Sequence, residues 1–294
     1  MNILENINTE LRNTKSFNLD TMSIADAVTL MINEEYNVIE ALNEQYDSIV
    51  EVVTRSSQVL KNNGRIVYVG AGTSGRLGIL DAVECPPTFS VDYNTIVGLM
   101  AGGKKAFIEA QEGAEDDPQL AHQDLKKIDL NERDIVIGIA ASGRTPYVIG
   151  ALEYATLVKA ETVAISCTKK AKISNYANYS IEAVPGPEIL TGSTRLKAGT
   201  TQKLILNMIS TLSMVSIGKV YQNLMIDVNP TNEKLVERAK LIICEAAGVD
   251  YSIAETFYTK ANKSVKIALA MILNDCDYDQ ALAILKNNNN FIKR

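Results

Sequence analysis

A short apolar run that breaks at glycines and leads straight into a helix constrains this chain more than any other feature. The stretch is Gly64–Pro87, GRIVYVGAGTSGRLGILDAVECPP. Arg65–Val69 is β-branched and aromatic and has the length of a buried strand, and Leu77 opens an apolar helix. Three glycines form the turn between them: Gly70, Gly72 and Gly75. A helix that starts after such a turn offers free N–H groups and a partial positive charge, which favours an anion such as phosphate.

Two hydroxyl groups, those of Thr73 and Ser74, lie in this turn and add neutral hydrogen-bond donors, so the first interpretation is a pocket for a phosphorylated small molecule. The turn also fits G-x-G-x-x-G, the pattern of a dinucleotide site. A dinucleotide site requires an acidic residue about 20 residues later, at the end of the next strand. Asp92 has that spacing but precedes the next apolar run, Thr95–Met100, so this interpretation is weaker. A glycine turn without a ligand is the third interpretation.

The same plan returns in Asp134–Gly150, DIVIGIAASGRTPYVIG. The strand Ile135–Ile139 leads through small residues into Ser142-Gly143-Arg144-Thr145 and then into a helix. Both turns contain the string Ser-Gly-Arg. Because ligands bind at the carboxyl ends of parallel strands, the two hydroxyl-bearing turns could converge on one ligand.

From Arg65 onward strands alternate with helices, which predicts an α/β fold. The strand candidates are short and rich in β-branched residues: Arg65–Gly70, Thr95–Met100, Ile135–Ala140, Thr162–Ser166 and Tyr179–Ala183. Helical stretches fall between most of them: Leu77–Val83, Ala106–Glu112, Pro118–Lys127 and Pro146–Val158. We therefore predict a five-stranded, mostly parallel sheet with helices on both faces.

Helices flank this α/β region on both sides. One starts at Ser23 and a second covers Asn33–Lys61, and we interpret their apolar stripes as packing or subunit contacts. An apolar helix covers Leu204–Val220. Three short helices close the chain; they start at Asn229, Ser252 and Asp277, and the first ends at Gly248.

Charge and cysteine content argue against several classes of protein. The formal charge is −6 at pH 7 without a dense basic stripe, which argues against a nucleic-acid-binding protein. The four cysteines lie far apart and include no C-x-x-C pair, which predicts reduced thiols in a cytoplasmic protein rather than disulfides or a zinc site. The N-terminus is polar and acidic, and no apolar run approaches the ~20 residues that cross a membrane. We therefore expect neither a signal peptide nor a membrane protein.

Carboxylates are the leading acid–base candidates, because the one histidine, His122, lies in a polar stretch and is interpreted as a surface residue. Glu84 lies among Ala, Val, Cys and Pro residues at the end of the first glycine-turn helix, where two prolines are expected to stop the helix. Partial burial there would raise the pKa of Glu84 and suit it to donate a proton. An acidic cluster follows, from which composition alone selects no member: Glu109, Glu112, Glu115, Asp116 and Asp117.

Two arginines and two hydroxyl residues are secondary candidates. Arg76 and Arg144 either bind phosphate or brace their turns through a carboxylate. Ser193 and Thr194 either cap the helix that follows them or contribute a third hydroxyl group to the site, and capping is favoured.

Five longer strings, taken in order, resemble the N-acetylmuramic acid 6-phosphate etherases over nearly the whole chain, from about Thr21 onward. They are GAGTSGRLGILDAVECPP, GLMAGGKKAFIEAQEGAEDD, GIAASGRTPYVIGALEYA, GSTRLKAGTTQKLILNMIST and MIDVNPTNEKL. The resemblance implies a sugar-isomerase (SIS) domain, which binds sugar phosphates, and a relationship to the glucokinase regulatory proteins. It places the catalytic acid of the family on Glu84 and its second catalytic glutamate on Glu115.

The implied reaction cleaves the D-lactyl ether at C3 of N-acetylmuramic acid 6-phosphate and needs neither a metal nor a nicotinamide. The substrate phosphate is expected on Ser142, Gly143, Arg144 and Thr145, with Thr73, Ser74 and Ser193 as further contacts. The family also implies a homodimer with sites near the subunit interface. The expected division is an N-terminal helical segment 1–53, an SIS domain 54–221 and a C-terminal helical bundle 229–294.

Three alternatives stay open at this point. A non-catalytic sugar-phosphate sensor would share the fold but release no product. An aldose–ketose isomerase would also use a carboxylate at C2, but it would yield a ketose. A nucleotide-dependent enzyme would bind NAD or ATP.

Overall fold

The computed structural model describes residues 8–109, 111, 113–227 and 232–292. They form two compact units. The first holds the described residues up to Val83 together with Asn94–Ser210, and the second holds Glu84–Tyr93 and the described residues from Thr211 onward. The expected division at 1–53, 54–221 and 229–294 stays a prediction. None of the described helices is long and apolar enough to cross a membrane.

A five-stranded sheet forms the centre of the first unit and confirms the predicted fold class. Its strands are β1 (Ile66–Gly70), β2 (Ile96–Met100), β3 (Ile135–Ile139), β4 (Glu161–Ser166) and β5 (Tyr179–Glu182). They lie in the order β2-β1-β3-β4-β5, and every neighbouring pair is parallel. β1 and β3 are buried along their whole length, as expected for strands with both faces covered. Each strand lies within one residue of its predicted bounds.

Two long helices precede the sheet, but they divide at a different place from the one predicted. They are α1 (Ile24–Glu44) and α2 (Tyr46–Lys61). The predicted break before Asn33 is wrong, because α1 continues through it to bury Val38 and Ala41. The chain instead leaves the helix at Gln45, whose N–H still bonds to carbonyls of the last turn of α1.

The helix after the first glycine turn, α3 (Gly72–Phe89), is longer than predicted in both directions. It begins at Gly72, so Thr73 and Ser74 belong to its first turn. Pro86 and Pro87 lie inside it, and the prediction that they stop the helix is wrong. A proline lacks the N–H donor but keeps its carbonyl, and the Pro86 carbonyl accepts a bond from the Ser90 N–H at 2.9 Å. The last turn of α3 is therefore retained.

The remaining helices of the sheet region cover the strands or lead to the site. They are α4 (Gly103–Ile108), α5 (Pro118–Lys127), α6 (Pro146–Leu157) and α7 (Lys197–Ser216). α5 has its predicted bounds, and α6 differs from its prediction by one residue at its end. α7 starts earlier than the predicted Leu204 because a buried carboxylate caps it. Glu188 accepts the backbone N–H groups of Lys197 at 3.1 Å and Ala198 at 2.9 Å.

This cap settles the role expected of two hydroxyl residues. Because Glu188 takes the free N–H groups at the start of α7, the expected capping by Ser193 or Thr194 is wrong. The Lys197 ammonium also forms a buried ion pair with Glu34 of α1 at 2.6 Å. A protein carboxylate thus occupies the position at this helix start that a ligand anion would otherwise take.

The second unit is mostly helical. It contains a hairpin, β6 (Val220–Tyr221) with β7 (Leu224–Met225), followed by α8 (Glu233–Ala247), α9 (Tyr251–Lys260), α10 (Val265–Asn274) and α11 (Tyr278–Asn287). Gly248 ends α8 in the left-handed conformation, and Asp277 with Gln280 forms the predicted capping box. The start at Ser252 is wrong, since Asp250 holds the N-cap position of α9, and α10 was not predicted. The expected helix start at Asn229 lies outside the described residues.

Candidate active site

The direction in which successive strands are added to the sheet reverses between β1 and β3. β2 lies on one side of β1, and the later strands continue on the other. In an open parallel sheet, ligands bind at the carboxyl ends of the strands where the order reverses. Gly70 at the end of β1 pairs in register with Ile139 at the end of β3. The two turns thus leave the sheet side by side on one edge, as predicted.

A cavity of about 400 Å³ opens at this edge. It is lined by residues of the turn after β3, of the segment before α5 and of the loop after β4: Glu115, Asp116, Ser142, Arg144, Thr145, Pro146 and Lys172. A second cavity of about 200 Å³ lies at the turn after β1 and also includes Glu115 in its wall. The structure therefore brings Glu115 together with three of the residues expected to bind the phosphate.

Glu115 stands out from the acidic cluster by its position. It lies in a single 3-10 turn, Ala114–Asp116, and its side chain is exposed. Its neighbour Asp117 has a structural role, because its carboxylate caps α5 by accepting the N–H groups of Gln119 and Leu120. Glu109 lies 3.9 Å from the Lys105 ammonium. Glu112 lies outside the described residues.

The turn after β3 leads directly into the start of α6. Thr145 is the N-cap residue of α6, yet its hydroxyl makes no capping bond, and Pro146 occupies the first helical position. The helix N-terminus, the Thr145 hydroxyl and the Ser142 hydroxyl therefore line the cavity together. Gly143 takes the left-handed conformation (φ 69°) in the middle of this turn.

Gly143→Ala should destabilise the protein. A Cβ atom at this position would lie 2.5 Å from Ala171 Cβ, and the positive φ adds strain. We expect the free energy of unfolding from urea denaturation to fall by about 1–3 kcal/mol. Gly113→Ala is the matched control, since Gly113 has φ 80° but nothing lies within 4 Å of the added carbon. Equal losses in the two variants would show that the contact with Ala171 is unimportant.

The hydroxyl residues after β1 are less available than expected. Ser74 is buried, and its hydroxyl donates to Gln202 Oε1 at 2.9 Å, so it can offer a ligand only a lone pair. Thr73 is half-buried, and its methyl group lies 3.6 Å from the position of a Cβ on Gly199. Neither residue lines the two cavities described above, and neither does Ser193 in the loop before α7.

The two arginines of the repeated Ser-Gly-Arg string play different roles. The Arg76 guanidinium donates to the backbone carbonyls of Ala106 at 2.7 Å and Phe107 at 3.0 Å. Arg76 therefore braces its turn against α4, through carbonyls rather than the expected carboxylate. Arg144 lines the cavity at the turn after β3.

Glu84 lies near the end of α3, in the second unit, and its side chain is exposed. We expected apolar neighbours to bury the Glu84 side chain partly, and in the single chain this expectation is wrong. The covered face of the helix instead holds Asp81, whose carboxylate accepts bonds from Asn207 at 2.7 Å and Ser210 at 3.1 Å. Burial raises the pKa of Asp81, although these hydrogen bonds oppose the rise.

His122 is not a surface residue, in contrast to the interpretation from the sequence. It is half-buried and packs on the Tyr154 ring, with the two ring centroids 5.4 Å apart. Within the described part of the chain, no group of three or more His, Cys, Asp or Glu side chains is arranged to hold a metal ion.

Comparison with known families agrees with this architecture. Residues 48–156 match the glucokinase regulatory protein N-terminal SIS domain, and residues 114–212 match the SIS domain. A phosphoheptose isomerase from Francisella tularensis superposes with a TM-score of 0.51 at 16% identity, covering 66% of this chain and 100% of its own. At that identity the likeness concerns the fold alone.

Curated relatives match along the full length. The chain is 78% identical over 293 residues to the N-acetylmuramic acid 6-phosphate etherase of Francisella tularensis subsp. novicida (strain U112), with 100% of both chains covered. It is 57% identical over 292 residues to the enzyme of that name from Bacillus mycoides (strain KBAB4), with 99% of both chains covered. With this identity over the whole length, the chain belongs to the N-acetylmuramic acid 6-phosphate etherase family.

Proposed function

We propose that the protein is a carbon–oxygen lyase that cleaves the D-lactyl ether of N-acetylmuramic acid 6-phosphate. The products are N-acetylglucosamine 6-phosphate and D-lactate. Family membership over the full length supports the reaction, and one structural observation supports its location. The carboxylate of Glu115 lines the same cavity as the hydroxyl-bearing turn Ser142–Thr145. A base and a phosphate-binding turn in one cavity suit a phosphorylated sugar.

The phosphate is proposed to rest on the turn after β3. Ser142 and Thr145 donate hydroxyl hydrogen bonds there, and Arg144 adds charge. Gly143 gives the turn its left-handed backbone. The N-terminus of α6 adds a partial positive charge. Thr73, Ser74 and Ser193 are proposed as further contacts of the same substrate, although they do not line the cavity.

The chemistry is proposed to proceed by elimination and then addition. In the open-chain aldehyde, the carbonyl at C1 acidifies the C2 proton, and Glu115 removes that proton. The C3–O bond then breaks, and Glu84 donates a proton to the lactate alkoxide as it leaves. Water adds at C3 of the unsaturated aldehyde to give the product sugar. Glu115 as base and Glu84 as acid is the proposed division of roles.

The direct test of the activity is release of D-lactate from N-acetylmuramic acid 6-phosphate by the purified protein. Stoichiometric D-lactate and N-acetylglucosamine 6-phosphate are expected. A ketose product without lactate would indicate an isomerase. Tight binding with no turnover would indicate a sensor, and either result would refute the lyase assignment.

A homodimer is proposed from the surface of α1. Several apolar side chains at helical spacing are exposed on it: Ile24, Val28, Met31, Ile32, Tyr36 and Ile39. An apolar stripe of this length on a helix is typical of a protein interface. An adjoining groove of about 280 Å³ between α1 and α7 adds Leu204 to the stripe. A second copy of the chain is proposed to cover this face, and the sites are proposed to lie near the subunit interface, as the family resemblance implies.

Ile32→Glu should convert the dimer to a monomer. Ile32 is 60% exposed in the middle of the stripe, and a buried unpaired carboxylate at an interface is costly. Sedimentation analysis should report half the mass of the wild-type assembly. Leu157→Glu is the control, since Leu157 is 75% exposed at the end of α6 and should leave the assembly unchanged. A monomeric wild-type protein would contradict the proposal.

The reaction is proposed to belong to cytoplasmic recycling of peptidoglycan amino sugars. None of the four cysteines forms a disulfide in the structure, which suits a reducing compartment.

A further inference from the structure

A lysine that the sequence pattern did not single out lies in the wall of the candidate active site. Lys172 lines the cavity that also contains Ser142, Thr145 and Glu115. Its side chain is exposed, and its ammonium has no hydrogen-bond or ion-pair partner among the described residues. By contrast, Lys169 in the same loop pairs with Glu44 at 3.2 Å. Lys172 is thus an unpaired cation that faces a polar cavity.

The backbone around Lys172 is fixed to the turn after β3. The N–H of Ile173, the next residue, donates to the Gly143 carbonyl at 2.9 Å. Ala171, the residue before it, is the one whose Cβ would meet a side chain at Gly143. Lys172 therefore lies directly beside the centre of the proposed phosphate-binding turn.

A second set of hydrogen bonds, to the Glu182 carboxylate, also holds the loop around Lys172. The Glu182 carboxylate at the end of β5 accepts the N–H groups of Lys170 at 2.7 Å and Ala171 at 2.9 Å. It also accepts the Ser174 hydroxyl at 2.7 Å. These bonds preorganise the main chain while the Lys172 ammonium stays unpaired, an arrangement that lowers the entropic cost of binding an anion.

We propose that Lys172 binds the phosphate of the substrate together with the turn Ser142–Thr145. Arg76, the arginine of the other turn, is engaged by backbone carbonyls and does not line this cavity. Lys172 supplies a compact point charge beside the Ser142 and Thr145 hydroxyls. This inference takes the identity of the sugar from the proposed function. The contact between Lys172 and a phosphate group does not depend on that function.

The test compares Lys172→Gln with Lys170→Gln. Both substitutions remove one positive charge from an exposed lysine of the same loop, but Lys170 does not line the cavity. Calorimetric titration with N-acetylglucosamine 6-phosphate, which carries the phosphate but no lactyl group, should show about a tenfold weaker affinity for Lys172→Gln. Lys170→Gln should stay within about twofold of the wild type, and Lys172→Arg should restore most of the affinity. Added salt should weaken wild-type binding more than Lys172→Gln binding.

Turnover with N-acetylmuramic acid 6-phosphate supplies the second readout. KM should rise about tenfold in Lys172→Gln with kcat little changed, because a phosphate contact is made equally in the ground and transition states. The phosphate assignment would be overturned if Lys172→Gln and Lys170→Gln had equal effects. It would also be overturned if Lys172→Gln weakened binding only of the sugar that carries the lactyl carboxylate. If no D-lactate is released by the wild type, the proposed function fails, while the calorimetric comparison still decides the role of Lys172.

Discussion

Glu115→Gln should lower kcat for D-lactate release by about 10²–10⁴-fold, the usual contribution of a general base. The amide has the shape of the carboxylate but cannot take up the C2 proton. The side chain is exposed on a 3-10 turn and caps no helix, so the substitution should leave folding intact. KM should change little, because the proposed phosphate contacts lie on the turn after β3.

Proton exchange at C2 separates the base from other roles. In deuterated water, the wild type should incorporate deuterium at C2 of the product, and Glu115→Gln should lose this exchange together with turnover. Asp116→Asn is the matched control, since Asp116 lines the same cavity and its loss removes the same charge. If Asp116→Asn is as inactive as Glu115→Gln, the cavity needs negative charge rather than a base at position 115.

Glu84→Gln should also lower D-lactate release by about 10²–10⁴-fold. An alkoxide is a poor leaving group, and glutamine cannot protonate it as the C3–O bond breaks. Because the proposed base is intact in this variant, deuterium should still enter C2 of the unreacted substrate. The two variants should thus fail at different steps, which a measurement of turnover alone would not reveal.

Glu84 needs a control of its own, because it lies in the second unit and its side chain is exposed. Asp92→Asn removes a carboxylate from the same unit and should leave kcat near the wild-type value. Unchanged turnover in Glu84→Gln would remove it from the mechanism. Loss of C2 exchange in Glu84→Gln, with exchange retained in Glu115→Gln, would reverse the assignment of acid and base.

The strands could be predicted closely because local pattern determines them. β1 and β3 are short runs rich in β-branched residues, and both are followed by glycine or alanine residues. Strands covered on both faces are apolar along their length in this way. The prediction that the two turns could converge on one ligand rests on the rule that ligands bind at the carboxyl ends of parallel strands. The strand order itself was not predicted. Glu115, by contrast, was singled out only by the family resemblance, because composition selects no member of its acidic cluster.

What the sequence pattern missed depends on contacts between distant residues. Glu188 caps α7, and this moves the helix start seven residues ahead of the prediction. Asp81 rather than Glu84 is buried, because the face of α3 that meets Asn207 and Ser210 decides which carboxylate is covered. Lys172 lies beside the site because the N–H of the next residue, Ile173, bonds to the Gly143 carbonyl, a contact that no local sequence motif predicts.

In the proposed complex, the turn Ser142–Thr145 holds the phosphate while Glu115 faces the reacting carbons of the same molecule. A crystal structure of Glu115→Gln with bound N-acetylmuramic acid 6-phosphate tests this most directly. We predict phosphate oxygens within hydrogen-bond distance of the Ser142 and Thr145 hydroxyls, and C2 of the sugar next to the side chain at position 115. A phosphate bound elsewhere, with C2 out of reach of that side chain, would contradict the account.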